Sequence, residues 1–302
     1  MKFSPIVIFA YNRPNHLLNL LNSLFLNPNI TKHDFFFFCD GAKNFNDEKN
    51  IIQIKKIINR FKKKLKFKKI LYNRKNIGLA KNIINGVAET LKKRDCCIVL
   101  EDDLVVNSKT INFLDHYLKL FKYNPLFGSV SAHSYLDRMK QLGNNEYYVT
   151  KRHCSWGWGT WSRVWNDIDW NSINYEKHFS SKLEKKLFSY AGNDLNLLLW
   201  GQYKKYINSW AIRFNYFCFK KNLLSFHPRH SMIENHGRDS SGTHERLLIF
   251  NNKVDINYFP KLLKKINPLE FSSKKIDLFI KNTHRKSIKL LLMHFFQEGY
   301  FL

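Results

Sequence analysis

Three consecutive carboxylates, Glu101-Asp102-Asp103, are the densest group of chemically capable side chains in the sequence. They follow directly on Cys96-Cys97-Ile98-Val99-Leu100 and precede Leu104-Val105-Val106. Five apolar residues without alternation describe a strand buried on both faces, as in the middle of a parallel sheet. Like charges at the end of such a strand repel one another, so a cation or hydrogen-bond donors must hold them. Hard divalent ions such as Mg²⁺ and Mn²⁺ take oxygen ligands of this kind, often one or two carboxylates with phosphate and water completing the shell. The plainer reading is an acidic turn in solvent. What the neighbouring strands carry favours the ion.

Those strands are read from apolar runs and the polar clusters that end them. Ile6 to Ala10 ends in Tyr11-Asn12-Arg13-Pro14, and Phe35 to Cys39 ends in Asp40-Gly41. A short strand, Ile70 to Tyr72, ends in Asn73-Arg74-Lys75-Asn76-Ile77-Gly78. Helical spacing joins them: Leu17, Leu18, Leu21, Leu24 and Phe25; then Ile51, Ile54, Ile57, Ile58 and Phe61; then Leu79 to Lys93; then a helix from about Ser108 to Tyr123. Strand–helix alternation of this kind predicts an α/β fold with a parallel, doubly wound sheet. Ligands of such sheets bind beyond the carboxyl ends of the strands, where the polar clusters must converge. Arginine for phosphate, an aspartate for a base or ribose, and carboxylates for a metal together describe a nucleotide-diphosphate site.

The second half is less regular. Gly128 to Ser134 and Tyr147 to Thr150 read as strands, and Asn193 to Tyr206 as a helix. Ser155-Trp156-Gly157-Trp158-Gly159-Thr160-Trp161 is either a tight core turn or a wall on which a sugar ring stacks, with Trp156 and Trp158 as the stacking rings. The stretch from Asn235 to Glu245 lacks apolar periodicity and suits a mobile lid. Beyond Pro268, lysines and one arginine alternate with leucine, isoleucine and phenylalanine. That tail reads as a basic amphipathic segment for an anionic membrane surface, or as a capping helix with solvated charges.

A net charge of +26 over 302 residues implies an anionic partner without saying which. With 44% hydrophobic and 16% aromatic residues the chain is not a disordered one. The lysines are scattered and no nucleic-acid recognition motif is present, so nucleic acid is not among the expected partners. Cys39, Cys96, Cys97, Cys154 and Cys218 make no C-x-x-C pair and read as packing thiols of a reducing compartment. No signal peptide and no span of about 18 apolar residues is recognised, which places the expected protein in the cytoplasm.

Taken in order, Tyr11-Asn12-Arg13, Asp40-Gly41, Ile98 to Leu104, the SWGWGTW segment with Trp165, and Pro228 through Asn235 to Gly242-Thr243-His244 resemble GT-A-fold glycosyltransferases. The likeness is to bacterial sugar transferases of the family 2 type that share features with the inverting N-acetylglucosaminyltransferase of N-glycan branching. It implies a GT-A domain over 1–250, with a nucleotide-binding half (1–125) and an irregular acceptor-side half with a lid (126–250), followed by the basic tail (251–302). It also implies Arg13 at the phosphate or ribose, Asp40 at the base, Glu101 at the donor sugar, Asp102 at the ribose, and Asp103 on Mn²⁺ or Mg²⁺. The loop carrying His244 would close over the donor. The implied reaction is inverting transfer of a sugar from a nucleotide sugar, UDP-linked, to a glycan or lipid-linked glycan such as lipooligosaccharide or capsule, at the inner face of the cytoplasmic membrane. At one position the chain departs from the pattern: Asn208 stands where the resemblance implies an aspartate base. Asp194, Glu234 and Asp239 are the substitute carboxylates, and the alternative is a nucleotide-sugar-binding relative with little or no transfer activity.

Overall fold

The computed structural model describes residues 2–137, 139, 145–237, 258–284 and 286–298. In chain order its elements are β1 (Ile6–Ala10), α1 (Pro14–Leu24), β2 (Asp34–Cys39), α2 (Phe45–Phe61), β3 (Lys66–Tyr72), α3 (Leu79–Leu91), β4 (Cys96–Glu101), β5 (Leu104–Val106), α4 (Thr110–Leu120) and β6 (Phe127–Ser131). There follow β7 (Tyr147–Thr150), β8 (Trp158–Trp161), α5 (Ser162–Trp165), α6 (Tyr175–Ser180), α7 (Lys182–Phe188), α8 (Leu195–Tyr203), α9 (Trp210–Lys220), β9 (Leu224–Pro228), β10 (Ile233–Asn235), α10 (Lys274–Thr283) and α11 (Ile288–Glu298).

Eight strands form one sheet in the order β3-β2-β1-β4-β8-β6-β9-β7. The first four pair in parallel, in the order of a doubly wound half-sheet. β8 then runs antiparallel between β4 and β6, β9 lies parallel to β6, and β7 closes the sheet antiparallel to β9. Six strands therefore point one way, and the carboxyl ends Ala10, Cys39, Tyr72, Glu101, Ser131 and Pro228 share one edge. The fold is α/β with a mostly parallel sheet flanked by helices, as the alternation of apolar runs predicts.

Local sequence explains most element ends. Pro14 opens α1, where its missing N–H costs nothing, and the Asn44 side chain caps α2 by accepting from the Asp47 N–H. β1 and the inner strands β2 and β4 are nearly wholly buried, consistent with their unbroken apolar runs. β3 is longer than its apolar residues suggest, beginning at Lys66 rather than Ile70. It is an edge strand, where lysines sit comfortably in solvent and discourage pairing with another chain.

Trp158–Trp161 of the tryptophan-glycine segment form β8, buried in the core, while Trp156 precedes the strand in a bend and is half-buried. Trp158 pairs with Val99 and Trp161 with Cys96 across the β4 ladder. Trp158 stacks on Trp210, with ring centroids 4.9 Å apart, and lies against Trp165 and Phe214. This aromatic block joins α5 and α9 to α3, since the Trp165 indole also donates to the Ile84 carbonyl. On the other face Trp161 Nε1 donates to Leu118 O of α4. Gly159 is required there, since a Cβ would meet Leu118 Cδ1 at 2.6 Å and the Cys97 carbonyl at 2.9 Å.

The C-terminal helices pack on the second half of the chain with one face each. Ile276 and Ile280 of α10 pack on Leu136 and Tyr148, and Leu290 of α11 packs on Leu197 and Trp200. Leu278, Leu292, Phe295 and Phe296 remain exposed. No helix among the described residues is long and apolar enough to cross a membrane.

Candidate active site

The acid triplet closes β4 on the shared edge, one strand away from the end of β1. Register sets Glu101 beside Phe9, and the Asp102 N–H donates to the Phe9 carbonyl at 2.9 Å. The turn that follows β1 therefore passes directly over the carboxylates. The Tyr11 N–H donates to Asp102 Oδ2 at 3.2 Å. Arg13 reaches both aspartates: Nη2 donates to Asp102 Oδ1, and Nη1 donates to Asp103 Oδ2 at 3.1 Å. Sequence neighbours Tyr11 and Asn12 are pinned by Asp47 of α2, through the Tyr11 hydroxyl at 2.5 Å and Asn12 Nδ2 at 2.6 Å.

The electrostatics follow from burial and unbalanced charge. Burial, then the Asp103 and Asp102 charges, push the Glu101 pKa up. Burial also raises that of Asp102, although Arg13 opposes it. Burial disfavours charge on Arg13 in turn, but Asp102 and Asp103 hold it firmly as the guanidinium. One guanidinium thus faces three carboxyl groups, and the cluster has capacity for a further cation. Among the described residues no three His, Cys, Asp or Glu side chains form a metal cage. A Mg²⁺ or Mn²⁺ bound through one carboxylate, with diphosphate and water as the other ligands, nonetheless suits Asp103. Its carboxylate lies at the rim and already accepts a cationic donor from Arg13.

The other expected residues divide into those at this edge and those away from it. Asp40 is at the edge, yet it anchors a loop instead of presenting a free carboxylate to a base. Its Oδ1 accepts from the Gly41 and Ile77 N–H groups, both at 2.9 Å, and from Asn73 at 3.2 Å, while its Oδ2 accepts from the Gly78 N–H at 2.9 Å. Those bonds fix the 73–78 loop against the carboxyl end of β2. Gly41 permits the close approach, because a Cβ would come within 2.4 Å of the Lys75 carbonyl carbon. Asp102, expected at a ribose, has both oxygens engaged and a side chain only 2% exposed. Trp158, expected to stack on a sugar, is fully buried in the aromatic block. Trp156 is half-buried at the same edge and meets the His133 ring edge to face at 4.6 Å.

The candidate bases separate just as clearly. Asp194 is buried and held by both nitrogens of the Arg152 guanidinium, at 2.7 and 2.9 Å. Burial would raise its pKa, but Arg152 outweighs burial and lowers it, which suits an ion-pair partner rather than a base. Asn208 is exposed in the α8–α9 connection and accepts from Arg213 at 3.1 Å. Glu234 lies on β10, which pairs antiparallel with β5 immediately after the acid triplet. Its carboxylate is 2.9 Å from His236 Nε2, and the His236 N–H donates to the Asp103 carbonyl at 2.8 Å. Asp239, His244 and the expected lid from residue 238 onward lie outside the described residues.

Two contributors escape a reading of residue types alone. Tyr11 acts through its backbone N–H, which carries no sequence signal. Gly237 lies so close that a Cβ would stand 2.3 Å from Asp103 Oδ2 and 3.0 Å from Arg13 Nη1. Its signal was a glycine directly after a short apolar–polar strand, the sort of position where backbone approaches a functional group.

No protein-family model matches the chain, and no curated protein matches it. Solved structures similar to it include Staphylococcus aureus TarS (18% identity over 43% of this chain and 21% of that one, TM-score 0.33). A mannosyltransferase from Pyrobaculum calidifontis, solved with GDP-Man and Mn²⁺, is 12% identical over 43% of this chain and 35% of its own, with a TM-score of 0.33. An active-site mutant of LgtC is 13% identical over 71% of this chain and 70% of its own, with a TM-score of 0.39. The chain spans between a fifth and two fifths of the length of the first structures it matches.

Proposed function

We propose that the protein is a GT-A-type glycosyltransferase that moves a sugar from a nucleotide sugar, UDP-linked, to a bacterial surface glycan or its lipid-linked precursor. The observation that carries this reading is the convergence of Arg13 with Glu101, Asp102 and Asp103 at the carboxyl edge of the parallel strands. That edge is where doubly wound sheets bind nucleotides.

In this reading Asp103 holds a Mn²⁺ or Mg²⁺, which supplies positive charge to the departing diphosphate when bound. Arg13 adds a bidentate donor to the same phosphates. Asp40 fixes the 73–78 loop as the wall against which the nucleoside lies. Glu101, at the carboxyl end of β4 beside Asp102, faces the donor sugar. Trp156 offers an apolar face to the sugar or acceptor ring. Inversion needs a group to take the acceptor proton, and Glu234, on the strand paired with β5 and hydrogen-bonded to His236, is the carboxylate we assign to it. The competing reading, donor binding with little transfer, is favoured by Asn208 alone. Peripheral attachment to the cytoplasmic membrane belongs to the same proposal, since the acceptor is lipid-linked and α11 leaves an apolar stripe exposed.

Calorimetry with UDP, with and without Mn²⁺, tests the donor site. We expect Mn²⁺-dependent binding that Asp103→Ala abolishes while circular dichroism shows an intact fold. Binding that survives the substitution makes the triplet an acidic turn. A panel of nucleotide sugars scored for metal-dependent hydrolysis then separates transfer from binding.

A further inference from the structure

The two ion pairs of Arg13 are unequal, and that inequality has a use. Asp102 is sealed from solvent, with a side chain 2% exposed, and the Tyr11 N–H holds its second oxygen. Asp103 is 14% exposed at the rim, and its bond to Arg13 is the longer, at 3.1 Å. A guanidinium is a rigid fork whose two ends can serve different anions. Here one end is locked in the protein and the other rests on the carboxylate best placed to take an external cation.

We propose that Arg13 is a resident counter-ion for the acid cluster, exchanged at Asp103 for the divalent cation: the guanidinium pivots on Asp102, vacates Asp103 and turns its free end to the diphosphate. The proposal rests on the donor-site reading above and adds to it an order of events and an energetic linkage. Without ligand, Arg13 compensates carboxylates that would otherwise repel, which keeps the turn after β1 in place. A divalent cation arriving alone must displace Arg13 from Asp103 and leave that guanidinium end without an anion. A nucleoside diphosphate arriving alone meets an arginine already engaged. Together, each supplies what the other removes, because the cation takes Asp103 while the diphosphate takes the freed N–H groups. Linkage is reciprocal, so each ligand must tighten the other by the same factor. Gly237 leaves room for the swing, since any side chain there would press on Asp103 Oδ2 and Arg13 Nη1.

Mn²⁺ alone provides the decisive probe, read by calorimetry and by thermal unfolding of the full chain. Arg13→Gln removes the competing cation, and we expect it to bind Mn²⁺ alone at least tenfold more tightly than the unsubstituted protein. Its melting temperature should lie lower without Mn²⁺ and rise further when Mn²⁺ is added. Arg13→Lys keeps one charge without the fork, so it should fall between the two; a charge effect acting at a distance would instead leave it equal to the unsubstituted protein. The gain must vanish in Arg13→Gln/Asp103→Asn. Equal Mn²⁺ affinity in Arg13→Gln and the unsubstituted protein, or a gain that survives loss of Asp103, overturns the exchange. If UDP binding remains Mn²⁺-dependent in that case, the donor site stands and the exchange alone is wrong. If UDP binding never depends on Mn²⁺, the donor-site reading fails, whatever Mn²⁺ alone does.

Discussion

At the scale of single residues, two carboxylates of similar chemistry sit in different surroundings. Glu234 and Asp194 were interchangeable as candidate bases when only their chemistry was visible, and their partners now set them apart. Removing the Asp194 carboxylate leaves Arg152 charged and buried without its partner, a loss that typically costs about 3–5 kcal/mol. We expect Asp194→Ala to lower the urea unfolding midpoint sharply. Glu234→Gln should leave that midpoint nearly unchanged, cut turnover by about 10²–10⁴-fold and spare UDP affinity. The reverse pattern would place the base in the Arg152 pocket. The triplet itself was legible because three adjacent acids after a buried strand have few explanations. The hydrogen-bond partners of Asp40 and Asp102 and the packing of Trp158 were not legible. Which way a buried carboxylate or indole faces depends on backbone donors and packing neighbours many positions away in the chain, such as Ile77 and Gly78 for Asp40.

At the scale of elements, the first half of the chain could be read almost strand by strand. Each buried strand there is an unbroken apolar run, and each helix shows its own period. The second half hides its order because β8 runs against its neighbours on both sides and is built from tryptophan and glycine, which carry no strand-specific pattern. The tail was read as either a membrane-facing segment or a cap; its helices pack one face on the body of the protein and leave apolar residues exposed on the other. Leu292, Phe295 and Phe296 fall at i, i+3 and i+4 on α11, opposite the docked Leu290 and His294. This stripe is too small for a stable protein interface of roughly 1,000 Å². It suits shallow insertion into lipid, with the net positive charge of the chain supplying attraction to anionic headgroups. Substituting all three residues with serine should weaken binding to phosphatidylglycerol vesicles about tenfold or more and leave UDP binding intact. Unchanged vesicle binding would remove the membrane role, and conversion of a dimer to a monomer would assign the stripe to a second copy.

At the scale of the whole molecule, stability should depend on pH through buried histidines rather than through the surface lysines. Burial lowers His153 to about 3, and His227 and His284 to about 4. In the unfolded chain each takes up a proton near pH 6.5, whereas in the folded protein each stays neutral well below that. The unfolded state therefore binds more protons between about pH 6.5 and 4, so stability is complete above that window and declines as pH falls through it. Each histidine contributes about 1.4 kcal/mol per pH unit inside the window. Urea midpoints should drop between pH 6.5 and 5, and His227→Asn should flatten the slope by one histidine's share. A midpoint that stays level over that range would mean these rings are hydrated.

The placement of the indoles has an optical consequence. Trp158, Trp165 and Trp210 are buried within one aromatic block, where their excited states exchange energy among themselves and are shielded from solvent. Trp156 lies outside that block, half-buried at the strand edge and in contact with the ring of His133. Emission from the block is thus a constant background, and emission from Trp156 reports whatever enters beside it. A ligand bound beside Trp156 should therefore be readable without a label, as a change in emission that replacing this one indole with phenylalanine silences.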